Sequence, residues 1–284
     1  MKPTVAIVGA GLAGLATGFF LSKTYSVTVF DKKGIGGGAS GIAAGLLHPF
    51  VGQTGKLNTL GWEGMEASLA LLSGHILHKG LFRIPFTAQM EKGFASNSAF
   101  KAVEGGFWQE EAYAIDIMAY LQFLMGKIEA NGGRLIIQKI EDPHQLKFDK
   151  IILCQGWETP FTQITPVKGQ LIEIGCTFPY PISAEGYLLP QKNSSIIGST
   201  YERGYTSTEP DTSCLSELLS KAEKMMPGIS KYPILNIRSG VRASSPHRLP
   251  TIEKIDSRLH VYTGLGSRGL LYHVLFAKKL LEIL

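Results

Sequence analysis

Gly9-Ala10-Gly11-Leu12-Ala13-Gly14 decides the fold, because of what stands on either side of it. Before it, residues 4–8 form a short β-branched apolar run, which reads as a buried strand. After it, residues 12–22 are small and apolar, as a helix packed on a sheet requires, and residues 27–30 form a second strand-like run ending on Asp31. A bare Gly-x-Gly-x-x-Gly hexapeptide is weak evidence. Strand, turn, helix and second strand within about 30 residues are the setting in which it holds a dinucleotide. Gly9 permits the sharp turn out of the strand, Gly11 lets backbone approach a pyrophosphate, and Gly14 lets the helix pack closely on the sheet. With Leu12 and Ala13 they aim N–H groups and the positive end of the helix dipole at phosphate charge. Asp31 is placed to accept from ribose hydroxyls, and its charge disfavours a 2′-phosphate, which argues against NADP.

Working outward, residues 34–55 read as a glycine-rich loop, and residues 61–79 and 116–130 carry helical periodicity. The second of these helices stops at Asn131-Gly132-Gly133, as a C-cap should. Residues 134–137 and 151–154 read as strands, 166–200 as antiparallel strands, 215–226 as a helix, 259–263 as a strand and 269–284 as a last helix. The expected fold is therefore α/β, a Rossmann-type domain interleaved with an antiparallel β-rich second lobe of α+β character. Residues 1–60, 112–160 and 240–284 are assigned to the nucleotide domain, and 61–111 and 161–239 to the lobe. The 284 residues allow a sizeable core, and 18% charged residues are too few for a disordered chain. The net charge of +5 comes from scattered Lys and Arg, which is the pattern of a solvated surface rather than a nucleic-acid stripe. Cys154, Cys176 and Cys214 lie too far apart for zinc-ligand spacing or a disulfide framework, so no metal is expected. Met1-Lys2-Pro3 runs straight into a strand pattern without the features of a signal peptide, and no apolar run approaches a membrane span. The expectation is a soluble, cytoplasmic protein with no membrane partner.

The identity of the dinucleotide rests on three further segments. Gly36-Gly37-Gly38-Ala39-Ser40-Gly41 follows the second strand and is placed to wrap an extended dinucleotide, with Ser40 offering a hydroxyl to a phosphate. Residues 151–156 run from a strand into a turn at Gly156, and Gly264-Leu265-Gly266-Ser267-Arg268-Gly269 opens the last helix. At these residues the chain resembles the FAD-dependent D-amino-acid oxidase/glycine oxidase superfamily over nearly its whole length. The resemblance implies FAD as cofactor. It places Lys32, Ala39 and Ser40 beside the dinucleotide, the Ile140 backbone at the adenine end, and Gly156 and Trp157 along its path. Gly264, Gly266, Ser267, Arg268, Gly269 and Leu270 would support the flavin ring. Cys154 stands where the family has a small residue and reads as a packed thiol. Ile42 replaces an Asn found in relatives.

A narrower likeness lies in the ordered series Pro166-Val167-Lys168-Gly169-Gln170, Gly186-Tyr187-Leu188-Leu189-Pro190, residues 197–204 and Gly240-Val241-Arg242-Ala243. This series is similar to the FAD-dependent half of the bifunctional tRNA wobble-uridine modification enzymes (MnmC-like). That half removes a carboxymethyl group from 5-carboxymethylaminomethyluridine, leaving glyoxylate. The segment before residue 112 is short for the family.

Oxidising the carbon beside an amine needs little acid–base machinery; it needs the C–H held over the flavin. The expected catalytic residues are therefore anchors for the substrate carboxylate. Arg242 and Arg268 are chosen because a guanidinium clamps a carboxylate with two parallel hydrogen bonds, and Tyr187 because the resemblance puts an assisting hydroxyl there. His48 and His273 lie in segments expected near the flavin, with packing as their ordinary reading. Lys168, Arg203 and Arg248 are candidates for nucleic-acid phosphates. The leading expectation is an FAD-dependent oxidase of 5-carboxymethylaminomethyl(-2-thio)uridine in tRNA, with O2 as acceptor and a separate methyltransferase acting on the same tRNA. The alternatives are a free-standing oxidase of glycine, sarcosine or a small D-amino acid, and a non-catalytic flavin-binding accessory protein.

Overall fold

The computed structural model describes residues 2–52 and 54–284. Met1 and Gln53, which fall in the N-terminal run and the 34–55 segment read above, lie outside the described residues. Strand β1 (Thr4–Val8), helix α1 (Leu12–Leu21) and strand β2 (Ser26–Asp31) form the expected unit. Successive β1 side chains alternate between two cores. Val5 and Ile7 join Leu15 of α1, whereas Ala6 and Val8 join Phe30, Ile151 and Val261 on the opposite face. A strand buried on both sides is why the sequence shows a continuous apolar run there rather than alternation.

The segment read as one loop, residues 34–55, contains a short helix α2 (Ala39–Ile42) and a two-residue strand β3 (Leu46–Leu47). Helix α3 (Gly61–Leu72) begins as expected, but the residues read as carrying it to Lys79 belong to strand β4 (Ile76–Arg83). A single 3-10 turn over Ser73–His75 stops the helix. The chain then extends because β4 finds an antiparallel partner far along the sequence. Helix α4 (Ala88–Ala95), strands β5 (Phe100–Val103) and β6 (Gly106–Ile115), and helix α5 (Ile117–Ala130) follow. Asp116 caps α5 by accepting from the Ala119 N–H at 3.1 Å, and Gly132, at φ +84°, turns the chain out of it. Next come β7 (Arg134–Ile137), β8 (Lys150–Leu153), β9 (Thr165–Ile174), β10 (Ile182–Ser183), β11 (Tyr187–Pro190) and β12 (Ser195–Gly198). Helix α6 (Cys214–Met225), strands β13 (Ile234–Ser244), β14 (Thr251–Lys254) and β15 (Leu259–Thr263), and helix α7 (Gly269–Leu281) complete the chain.

Two sheets result. The first has the order β14-β15-β8-β1-β2-β7, parallel throughout except where β14 meets β15. The chain leaves β1 toward β2 and β7, then returns on the other side as β8, so the crossovers diverge beside β1. Such a switch point opens a crevice at the carboxyl ends of the strands. The second sheet runs β13-β9-β12-β11-β10-β4-β6-β3, with β5 also on β6. Its outer face is covered by α6, whose Leu218 and Ala222 pack with Ile172 and Ile197. Its inner face presents Leu171, Leu189 and Ile196 to Ala44, in the segment joining α2 to β3.

This α/β architecture is the expected class, but the boundaries between its halves differ from the reading above. Helix α3, assigned to the second lobe, buries Met65 and Leu72 in the core of the first sheet, because its apolar stripe lies on α7. Strand β13, divided at residue 240, belongs whole to the second sheet, where it pairs with β9 along its length.

Candidate functional site

A cavity of about 730 Å³ opens at the carboxyl ends of β1, β2, β8 and β15 and extends to the inner face of β13. Its first end is made of backbone. Gly9 takes φ +117°, and a side chain at Gly14 would run into the Gly9 carbonyl. A Cβ on Gly11 would come within 2.8 Å of Ser40 Oγ. Gly11 is the N-cap of α1 and offers no side chain, so the helix presents backbone donors to whatever lies there. Gly11, Leu12 and Ala13 all border the cavity.

Asp31 braces this turn. One carboxylate oxygen accepts from Ala10 N–H at 2.8 Å, and the other from Lys33 and Gly34 N–H at 2.8 and 3.0 Å. Sequence reasoning gave Asp31 to a ribose and did not foresee this bracing; a carboxylate has lone pairs for both duties. Ser40 Oγ accepts from Leu12 N–H at 3.1 Å, which leaves its own proton to donate.

Farther along, Lys32 pairs with Glu158 at 2.6 Å, Ile140 is buried, and Gly156 and Trp157 line the wall. Gly264 and Gly266 take φ +79° and +54°. The Gly266 N–H donates to Ala243 O at 2.7 Å, which ties this turn to β13. Ala39, Ser267, Gly269 and Leu270 border the same space.

The residues fit an extended dinucleotide such as FAD. Atoms are missing where a pyrophosphate must approach, a helix N-terminus faces that point, and the cavity is large by the standard of ligand sites (roughly 300–1,000 Å³).

The other end is made of side chains from β13, β11 and the residue that follows β12. Arg242, on β13, donates from Nη2 to Ser199 Oγ at 2.7 Å and from Nη1 to Thr200 O at 3.3 Å. Its guanidinium lies across Gly169 of β9, where any side chain would collide with it. Tyr187, on β11, packs its ring on Gly198, directly opposite in the register. Burial raises the Tyr187 pKa, with Arg242's charge and the Ser199 hydroxyl opposing it, so the phenol keeps its proton and can donate. A guanidinium with donors to spare, a protonated phenol and a hydroxyl are groups able to hold a carboxylate. Ser199 and Gly169 were not singled out from sequence, although both lie in motifs that carry the narrower resemblance.

Other candidates are not brought to this end. Arg268 does not line the cavity: it is the N-cap residue of α7, and its guanidinium donates to Arg248 O at 3.2 Å. Lys168, read as a contact for phosphates, is 2% exposed and pairs with Asp211 at 3.1 Å. It is consumed internally in holding the segment after β12. Arg203 is exposed beside the Tyr201 ring, and Arg248 is exposed at φ +60°.

The histidines take the ordinary reading. His273 is fully buried, with Nε2 2.7 Å from Tyr120 Oη, and burial pushes its pKa down to about 4. His48 lies against Arg83, and burial followed by that charge pushes its pKa down. Cys154 is a packed thiol whose pKa is raised by burial. No helix among the described residues is long and apolar enough to cross a membrane.

Residues 4–283 match the family described as DAO, FAD dependent oxidoreductase. The tRNA 5-methylaminomethyl-2-thiouridine biosynthesis bifunctional protein MnmC of Maricaulis maris is 26% identical over 97% of this chain and 51% of its own length. D-aspartate oxidase of Homo sapiens is 26% identical over 95% of this chain and 91% of its own length. The chain thus spans about half the length of the MnmC relative and nearly all of the oxidase. The crystal structure of glycine oxidase from Geobacillus kaustophilus superposes with a TM-score of 0.83 at 20% identity, covering 99% of this chain and 95% of that one, a likeness of fold.

Proposed function

The chain belongs to the family of DAO-type FAD-dependent oxidoreductases, and from that premise we propose that it removes the carboxymethyl group from a 5-carboxymethylaminomethyl(-2-thio)uridine in tRNA. The observation that carries the reading is the Arg242–Tyr187–Ser199 anchor at the end of a glycine-built dinucleotide cavity. The MnmC relative supplies the substrate class.

Arg242 holds the substrate carboxylate through its free N–H groups, and the Tyr187 phenol donates to the same carboxylate. This fixes the C–H bond between carboxylate and amine at the flavin end of the cavity. FAD, when bound, supplies the two-electron acceptor for that bond. The amine gives its proton to solvent, water adds to the oxidised carbon, and the C–N bond breaks to release glyoxylate and the aminomethyl base. O2 would serve as the final acceptor, taking two electrons and two protons and leaving as H2O2. The same anchor suits a free amino acid, and the match to 91% of the length of D-aspartate oxidase favours that as the second reading.

Anaerobic flavin absorbance decides between the two readings. Bleaching by tRNA bearing the modification, with one glyoxylate per flavin, supports the proposal. Bleaching by glycine, sarcosine or a D-amino acid but not by the tRNA overturns it. A flavin that no amine reduces leaves only an accessory binding protein.

A further inference from the structure

Arg242 is not the only arginine on its strand that faces the cavity. Arg238, Gly240 and Arg242 occupy alternate positions of β13 and so point to one side of the sheet. The middle one has no side chain, and both arginines line the cavity. Arg238 is under-used. Its Nη2 reaches Glu173 Oε2 at a long 3.4 Å, and its Nε is buried with no hydrogen-bond partner. Arg238 is thus weakly held by protein groups and borders the cavity, where an anionic ligand can accept from its remaining donors.

The register fixes how far apart the two charges sit. The Arg242 guanidinium lies over Gly169, which pairs with Gly240, and Arg238 reaches Glu173, which pairs with Asn236. Both side chains therefore lean two residues the same way along the strand. Their heads keep the four-residue spacing of their backbones, roughly 13 Å at ~3.3 Å per residue. The two carboxylates of an amino diacid are joined by only three or four bonds of about 1.5 Å, too short to reach both heads. In a carboxymethylaminomethyl nucleotide, about a dozen such bonds separate the carboxylate from the 5′-phosphorus.

We propose that Arg238 is a specificity-determining residue that receives the 5′-phosphate of the modified nucleotide while Arg242 holds its carboxylate. This rests on the tRNA reading above and sharpens it. The enzyme recognises one nucleotide as a two-ended anion, and the rest of the tRNA adds to that grip.

The test uses FAD-loaded enzyme with two small substrates, 5-carboxymethylaminomethyluridine and its 5′-monophosphate, followed by anaerobic flavin reduction. The wild type should show a KM roughly tenfold lower for the monophosphate, as a charge-assisted contact provides. In Arg238→Gln the ratio of the two KM values should fall to near one, and Arg238→Lys should restore part of it. The dissociation constant of FAD, measured by fluorescence on the apoprotein, should stay within twofold of the wild type. Equal KM values in the wild type overturn the proposal while leaving the tRNA reading intact. So does a ratio that survives in Arg238→Gln. Weakened FAD binding with an unchanged ratio also overturns it, assigning the guanidinium to the cofactor's own phosphates. Reduction by free amino acids and by neither nucleoside form overturns both readings together.

Discussion

Gly9, Gly11 and Gly14 build one end of the cavity from backbone within six consecutive residues, whereas Arg242, Tyr187 and Ser199 build the other from side chains that lie far apart in the sequence. The first end works by leaving atoms out. Its tolerances are steric, and an added methyl group is felt as a collision. The second works by presenting donors. Its tolerances are electrostatic, and a change there is felt in the chemistry before it is felt in the fold. Substitutions at the two ends should therefore separate cofactor binding from turnover.

The largest effect is expected from Arg242→Ala. Removing one partner of a buried charge pair costs about 2–5 kcal/mol, or roughly 30- to 5,000-fold in kcat/KM. Flavin content should be kept, because the glycine turn is untouched; equal loss of flavin and activity would merge the two ends into one. Gly169→Ala comes next. Its methyl group pushes on the far end of a flexible guanidinium rather than on backbone, so the fold should survive while kcat/KM falls by ten- to a hundredfold. Made in the Arg242→Ala background, it should add little, since the group it displaces is gone. Full additivity would show that Gly169 acts elsewhere. Gly14→Ala should do the opposite. Its methyl group meets the Gly9 carbonyl, which is backbone and cannot rotate away. Overpacking of about 1–3 kcal/mol should appear as FAD affinity reduced by roughly five- to 150-fold. Turnover per bound flavin should stay near the wild type.

The same contrast explains what was legible beforehand. The glycine turn was readable because its meaning is local: strand, turn and helix periodicity lie within one window, and each glycine answers to a neighbour in sequence. Residues 76–79 were misread as helix because four residues, two apolar and two polar, are too few to show either period. Pairing with β6, some thirty residues on, decided the matter. Arg268 was placed correctly at the mouth of α7, but the direction of its side chain follows from the turn before it, which no spacing rule gives. Lys168 looked like a surface cation and is buried, because the segment carrying Asp211 folds back over it and is held there by Lys168 and the Gln170 side chain. Arg238 had a signal in the sequence. With Gly240 and Arg242 it marks one face of a strand by period-two spacing, and the reading stopped at the residue that the family resemblance pointed to.

Acid offers the last and smallest separation of the two regions. In the nucleotide half, His273 is buried under Tyr120 with its pKa pushed down to about 4, below the ordinary ~6.5. Between these values the unfolded chain binds a proton that the fold refuses, so stability is full above pH 6.5 and falls as pH drops toward 4. The loss is about 2 kcal/mol at pH 5. In the substrate half, the Ser213 hydroxyl and then Lys168 hold the Asp211 carboxyl down to about 2. That contribution is present above its ordinary value and is lost only as pH falls through about 2. Hydrogen exchange at pH 7 and pH 5, corrected for the intrinsic rate, should therefore show protection falling in α1, α5 and α7 while β9 holds. His273→Gln should flatten most of that difference, because the titrating group is removed while a polar partner for Tyr120 remains. If both halves lose protection equally, they unfold as one cooperative unit, and the division between backbone-built and side-chain-built ends describes the site without describing its stability.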